Sequence, residues 1–265
     1  KLLSNNRVIG QTTTESGDNL GAFSFTYVPA RPGKVAARDP ALVGLTATTP
    51  TIGACARLAA RIRHLAPEAR FVVGGVHPSA LPHETLRDYP VFDVAVAGEG
   101  EPVIAELASA AVRGRQQARP PTWPSPPGVY DRDAQGVVRG EGFGRVADLR
   151  ALPRPAWDLL PMAHYHTPDG RRFAAVMAQR GCPAACSYCA VPLLMGQTVR
   201  RREPIEVADE IRELADRWGV RQVGFLDDTF TMDRRWVLDL CLALGANEVA
   251  LRVRWSCLTR VNAID

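Results

Sequence analysis

Three cysteines crowd the stretch RGCPAACSYCA, residues 180–190: Cys182, Cys186 and Cys189, a C-x3-C-x2-C spacing that Gly181 leads into. In a reducing compartment such clustering points to metal or redox chemistry more than to a disulfide framework. The other three cysteines, Cys55, Cys241 and Cys257, are scattered. Two soft-donor sites compete for the cluster of thiols. Structural zinc takes four ligands, and the nearest further candidates, His164 and His166, lie across a whole expected strand. Cys241 falls mid-helix and Cys257 within a strand, and both read as core. A 4Fe–4S cluster has four irons, normally each with a thiolate. Three thiolates leave one iron open, and an open position is what separates catalytic metal sites from closed structural ones. Ligand count therefore favours the cluster over zinc, and both over three incidental cysteines, which are usually buried singly.

The elements that must hold this loop follow from periodicity. FAAVMAQRG, from Phe173, reads as a strand that delivers the cysteines. After the loop, Val207, Ile211, Leu214 and Trp218 recur on one face of a helix. RQVGFLDDTF is the next strand. Asp233 then caps a helix whose Val237, Leu240, Cys241 and Leu244 face inward, and LRVRWSCLTR is a third strand. This is the start of a β/α barrel. Residues 173–265 number 93, against about 250 for a closed eight-fold barrel, so the chain reads as a fragment.

A separate series occupies the first half. ALVGLTATT is a buried strand, GACARLAARIRHL a helix, RFVVGG a strand ending on two glycines, HETLRDY a short helix, VFDVAVAGEGE a third strand and PVIAELASAAVRG a third helix. That alternation predicts a parallel α/β sheet with right-handed crossovers. Ligands bind such sheets at the strands' carboxyl ends, which here carry Thr46-Ala47-Thr48, Gly74-Gly75 and Gly98-Glu99-Gly100. RQQARPPTWPSPPG is too rich in proline to pack as an element. GVYDRDAQGVVRGEG reads as a small hairpin turning at Asp133-Ala134-Gln135-Gly136. The expected organisation is thus a first domain over 1–114, its residues 1–39 unassigned, a connector over 115–172 and the truncated barrel over 173–265.

Composition adds bounds. The chain of 265 residues is 46% hydrophobic and 23% charged, with a net charge of +4, ordinary for a soluble protein. The positive excess is spread thinly, and the one basic run, VRRRE at 199–203, reads as a solvated loop, so no nucleic-acid partner is expected. No run approaches the ~18–20 apolar residues of a membrane helix, and the first ten residues lack a signal-peptide core. A cytoplasmic protein is the expectation.

RGCPAACSYC resembles the signature of radical S-adenosylmethionine (SAM) enzymes, C-x3-C-x-aromatic-C at the end of the first barrel strand. The resemblance implies that Cys182, Cys186 and Cys189 hold a 4Fe–4S cluster whose open iron chelates SAM, and that reductive cleavage yields a 5′-deoxyadenosyl radical. Tyr188 matches the aromatic position beside the adenine. FLDDTF stands where the family carries its SAM-amine motif, typically Gly-Gly-Glu; it departs from that motif, and Asp227 or Asp228 would supply the carboxylate. Arg260, past the third strand, would meet the SAM carboxylate or ribose.

The first half looks like the cobalamin-binding domain that precedes the barrel in one radical SAM subclass. VGLTATTPT, FVVGGVHPSALP and VAVAGEGEPVIAEL match its strand ends, and LPRPAWDLLP and RRREPIEVADEIREL its connector and first barrel helix. The likeness runs over residues 40–265. It implies a partial Rossmann-like domain in which Thr46, Thr48, Gly74 and Gly75 lie beside the cobalamin nucleotide tail and Gly98 and Glu99 line the same pocket. The Asp-x-His-x-x-Gly loop that supplies cobalt's lower ligand in many such domains is missing: no histidine precedes His64, and His77 reads as a loop residue, not a ligand. The implied activity is methyl transfer from methylcobalamin to an unactivated carbon of a small-molecule or natural-product substrate, with a flavodoxin- or ferredoxin-like electron donor. Its rivals are oxidative cyclisation or rearrangement without methylation, a non-catalytic iron–sulfur protein, and a zinc-stabilised nucleic-acid module, the last lacking a fourth ligand.

Overall fold

The computed structural model describes residues 9–12, 23–26, 32–246 and 248–264. Most of the stretch left unassigned above lies outside these residues. The chain divides into two compact units, Lys1–Val146 and Ala147–Asp265.

The first unit is an α/β layer built on β1 (Ile9–Thr12), β2 (Phe23–Thr26), α1 (Pro32–Ala36), β3 (Leu42–Thr46), α2 (Ile52–Leu65), β4 (Arg70–Gly74), α3 (Val76–Ala80), α4 (Pro82–Asp88), β5 (Val94–Val96), α5 (Ile104–Gln116), β6 (Val129–Arg132) and β7 (Val138–Arg139). The strands lie side by side in chain order. Neighbours β2 to β5 are parallel, whereas β1 with β2, β5 with β6 and β6 with β7 pair antiparallel. The three strands expected to be parallel are so, and antiparallel strands extend the sheet at both edges. Alternation along β4 explains the layering. Phe71 and Val73 pack with Ile52, Ala59 and Ile62 of α2, while Val72 faces the opposite cluster with Leu107 of α5.

The expected connector over 115–172 does not stand as one. The expected hairpin forms, turning at Asp133, whose side chain takes the N–H groups of Gln135 and Val137 at 2.9 and 2.8 Å. It extends the first sheet, because β6 pairs with β5 through Ala95↔Tyr130 and Val96↔Val129. Beyond the boundary at Val146, Trp157 and Met162 are buried in the core of the second unit. Proline punctuation signalled irregular backbone; it carried no information on which core each half of the segment serves.

The second unit runs β8 (Phe173–Val176), β9 (Gln179–Arg180), α6 (Val191–Leu194), β10 (Arg200–Arg201), α7 (Pro204–Arg217), β11 (Gln222–Phe225), α8 (Arg234–Ala246) and β12 (Arg254–Ser256). Three strands form a parallel sheet in the order β12–β11–β8, with α7 and α8 in the crossovers. The helix faces fall as the periodicity predicts: Val207, Ile211 and Leu214 are buried, as are Leu240 and Leu244, and Asp233 caps α8 by accepting the Trp236 N–H at 3.1 Å. Cys241 departs from expectation. It is exposed, because the inward face of α8 turns on Trp236, Leu240 and Leu244, one residue to its side. Cys257 is half-buried.

VRRRE is no solvated loop. Arg200 and Arg201 form β10, and the Arg202 guanidinium lies 2.6 Å from a carboxylate oxygen of Glu210, which is 1% exposed. That contact is ionic, without the alignment of a hydrogen bond. The other Glu210 oxygen accepts the Trp157 indole N–H at 3.0 Å. Among the described residues no helix is long and apolar enough to cross a membrane.

Candidate active site

The cysteine loop leaves the carboxyl end of β8 through a tight neck. β9 and β10 pair antiparallel, Arg180 with Arg200 and Gln179 with Arg201, so residues 181–199 emerge as a closed loop. Gly181 adopts φ +99°, and a Cβ there would strike the Thr198 carbonyl, so only glycine lets the two arms of the neck approach this closely. The Cys182 N–H donates to the Gly196 carbonyl at 3.0 Å. Cys182 itself is buried, its sulfur 3.3 Å from the Thr229 hydroxyl.

Cys186 is half-buried and Cys189 exposed, in irregular backbone where the Cys189 N–H donates to the Cys186 carbonyl at 3.1 Å. Three thiols are the donors an iron–sulfur cluster takes, so the loop fits that group in its donor chemistry. Their sulfurs are not drawn together: among the described residues no three Cys, His, Asp or Glu side chains are gathered to hold a metal ion. Tyr188, at the aromatic position of the motif, is 90% exposed.

The turn after β11 carries the two aspartates, and they differ. Asp227 is 1% exposed; one carboxylate oxygen accepts the N–H groups of Ala178 and Gln179 at 2.9 and 2.6 Å, and the other has no hydrogen-bond partner among the described residues. Burial pushes its carboxyl up to about 6, the two amide bonds only partly opposing the shift. Asp228 is exposed, its carboxyl also raised by desolvation. The two carboxylates are thus sorted, one spent on the chain's own backbone and one presented outward.

A testable consequence follows from the sign of the Asp227 shift. Between about pH 4 and 6 the fold keeps a proton that the unfolded chain has released, so this group's contribution to stability falls as pH rises through that window. Asp227→Asn keeps an acceptor for both amides and removes the ionisation. Urea unfolding across pH 4–7 is expected to show a fall smaller by roughly 3 kcal/mol in the variant, two pKa units' worth. Equal slopes in the two proteins would reject this account.

Arg260 is exposed and precedes a short turn at Val261–Ala263. It lines a cavity of about 500 Å³ with Thr231, Met232, Arg234 and Leu238 among its neighbours, and neither the cysteines nor the aspartates line that cavity.

In the first unit, Thr46 and Thr48 are exposed at the carboxyl end of β3. The Thr48 hydroxyl lies 3.1 Å from that of Thr51, which opens α2. At Gly74 a Cβ would stand in ordinary contact with the Val96 carbonyl at 3.8 Å, whereas Gly75, at φ +98°, presses its backbone against Thr46 and Ala47. Gly98 is likewise needed by the chain itself: at φ +85° it abuts the backbone of Gly144. Glu99 is buried, one carboxylate oxygen accepting the Val146 N–H at 2.6 Å. Both residues of this pair thus make contacts within the chain. His77 lies in α3, not in a loop; it is buried, and its Nδ1 is 3.1 Å from the Thr49 hydroxyl.

Thr229 and Gln179 were not singled out by sequence. Their signal was position alone, Thr229 directly after the aspartate pair and Gln179 three residues before the first cysteine.

Residues 33–108 match the B12 binding domain and residues 176–260 the radical SAM superfamily. The chain belongs to the radical SAM proteins in which a B12-binding domain precedes the radical SAM domain. It is 32% identical over 230 residues to an uncharacterized methyltransferase of Pyrococcus horikoshii, covering 86% of this chain and 48% of that protein. It is 30% identical over 241 residues to the anaerobic magnesium-protoporphyrin IX monomethyl ester cyclase of Rubrivivax gelatinosus, covering 87% and 41%. The chain thus spans at most about half the length of these relatives. Among solved structures, the radical SAM methyltransferase TsrM of Kitasatospora setae, with cobalamin and a [4Fe-4S] cluster bound, aligns at a TM-score of 0.62 and 22% identity over 84% of this chain and 45% of that one. The cobalamin-dependent radical enzyme OxsB aligns at 0.68 and 17% over 87% and 32%. Both likenesses concern the fold.

Proposed function

We propose that this protein is a cobalamin-dependent radical SAM enzyme that methylates an unactivated carbon of a small-molecule substrate. The observation that carries the reading is the C-x3-C-x2-C loop at the carboxyl end of the first strand of a parallel β/α series, in a chain whose first unit matches the B12 binding domain. When bound, the cluster supplies the electron that cleaves SAM, and the cobalamin carries the methyl group. Cys182, Cys186 and Cys189 would hold the cluster. Tyr188, exposed, would pack on the SAM adenine. Asp228, the outward carboxylate, would take the SAM amine in a charge-assisted bond, while Asp227 keeps the loop's neck in place. Arg260 would pair with the SAM carboxylate or ribose. In the first unit Thr46, Thr48 and Gly74 would lie beside the cobalamin tail, and Gly75, Gly98 and Glu99 would shape that edge from within.

Similarity to the monomethyl ester cyclase favours a second outcome, oxidative ring closure without methyl transfer. One experiment separates the two. The full-length protein, reconstituted anaerobically with iron, sulfide and hydroxocobalamin, is given labelled SAM and a strong reductant. 5′-Deoxyadenosine together with S-adenosylhomocysteine is the expected product pair. Deoxyadenosine alone would transfer the assignment to the cyclase class, and neither product from a loaded cluster would sink both.

A further inference from the structure

Three residues of the turn after β11, Asp227, Thr229 and Phe230, grip the start of the cysteine loop. Asp227 holds the Ala178 and Gln179 amides, the Phe230 carbonyl accepts the Gln179 side-chain amide at 3.0 Å, and the Thr229 hydroxyl sits 3.3 Å from the Cys182 sulfur. Thr229 is 5% exposed, and the sulfur is the only side-chain partner its hydroxyl has among the described residues. A hydroxyl buried this deeply is costly unless bonded. In the free thiol either atom can donate. A metal-bound Cys182 is a thiolate with no proton, so the hydroxyl must then be the donor.

We propose that Thr229 is a positioning residue for the iron–sulfur cluster, donating a hydrogen bond to the Cys182 thiolate that fixes this ligand and makes the cluster easier to reduce. The proposal rests on the reading of Cys182 as a cluster ligand. Reduction adds one negative charge to the cluster, and a hydrogen bond to a ligating sulfur stabilises the more negative state more strongly. Partners of this kind, one bond removed from the metal, tune potential as well as orientation. The clamp at Ala178 and Gln179 keeps Cys182 against the hydroxyl.

The test is a dithionite titration of the anaerobically reconstituted full-length protein, followed by the electron paramagnetic resonance of the reduced cluster. Thr229→Val and Thr229→Ala both delete the hydroxyl, so a folding failure in one leaves the other; Thr229→Ser retains it. The expected result is a more negative midpoint in the deletion variants, with the reduced-to-oxidised ratio at fixed solution potential lowered several-fold, and recovery toward the parent in Thr229→Ser. A deletion variant that holds its cluster at the parent's midpoint would overturn the proposal, as would a serine variant shifted as far as the valine. A parent protein that forms no cluster at all would overturn the ligand reading itself, a result distinct from an unshifted potential.

Discussion

Cys189→Ala in the full-length protein is expected to leave the folding free energy within about 0.5 kcal/mol of the parent, while iron content collapses and SAM cleavage falls to background. Cys189 is exposed and lies in irregular backbone, so truncating it removes little packing. Its value to the protein is then almost wholly chemical. The same change at Cys182 is less clean, since that side chain is buried and touches Thr229, and stability and ligation would fall together. Iron and sulfide analysis, unfolding curves and deoxyadenosine yield on one preparation make the comparison. A Cys189→Ala protein with full iron and full SAM cleavage would remove the loop from the active site.

That contrast also marks what sequence could convey. The spacing of Cys182, Cys186 and Cys189 is local and survives reading one residue at a time, and so do the stripes of α7 and α8. Strand-end chemistry was legible as position: the turn after β11 was singled out, but nothing in FLDDTF says which aspartate turns inward. That is decided by the amides of Ala178 and Gln179, which Asp227 accepts from some fifty residues earlier in the chain. The glycines make the same point. A Gly-x-Gly at a strand end looks like an invitation to a ligand, yet the close approach at Gly98 is made by Gly144, a contact that depends on how β6 and β7 return to the sheet. Cys241 was misjudged because a helical stripe predicts a face only to within about one residue.

The second large effect concerns the charge under α7. Glu210→Ala is expected to cost about 3–5 kcal/mol, because it strands the Arg202 guanidinium and deprives the Trp157 indole of its acceptor in a buried site. Against a typical domain stability of about 5–15 kcal/mol, that loss unfolds a substantial fraction of molecules at growth temperature. Replacing both partners, Arg202→Met with Glu210→Leu, is expected to recover the part of the loss caused by the stranded charge, since two apolar side chains carry no desolvation penalty, while the Trp157 indole still lacks its acceptor. Urea unfolding of the parent, the single variant and the double variant measures the cycle. A single variant as stable as the parent would mean that the pair is not buried in solution.

The return of the chain onto β5 bears on where this protein can be cut. The match to the B12 binding domain ends at residue 108, and an excised cobalamin-binding module designed on that boundary would keep α5 only in part and lose everything after it. The Ala97 amide would lose the Gly128 carbonyl that it bonds at 2.8 Å, and the Glu99 carboxylate would lose its Val146 donor. β5, now a bare edge strand, would offer its backbone to any passing chain. Ending the module after Val146 keeps β6, β7 and the returning backbone of Gly144, so the smallest portable form of this unit is set by hydrogen bonds made almost forty residues beyond the recognisable motif.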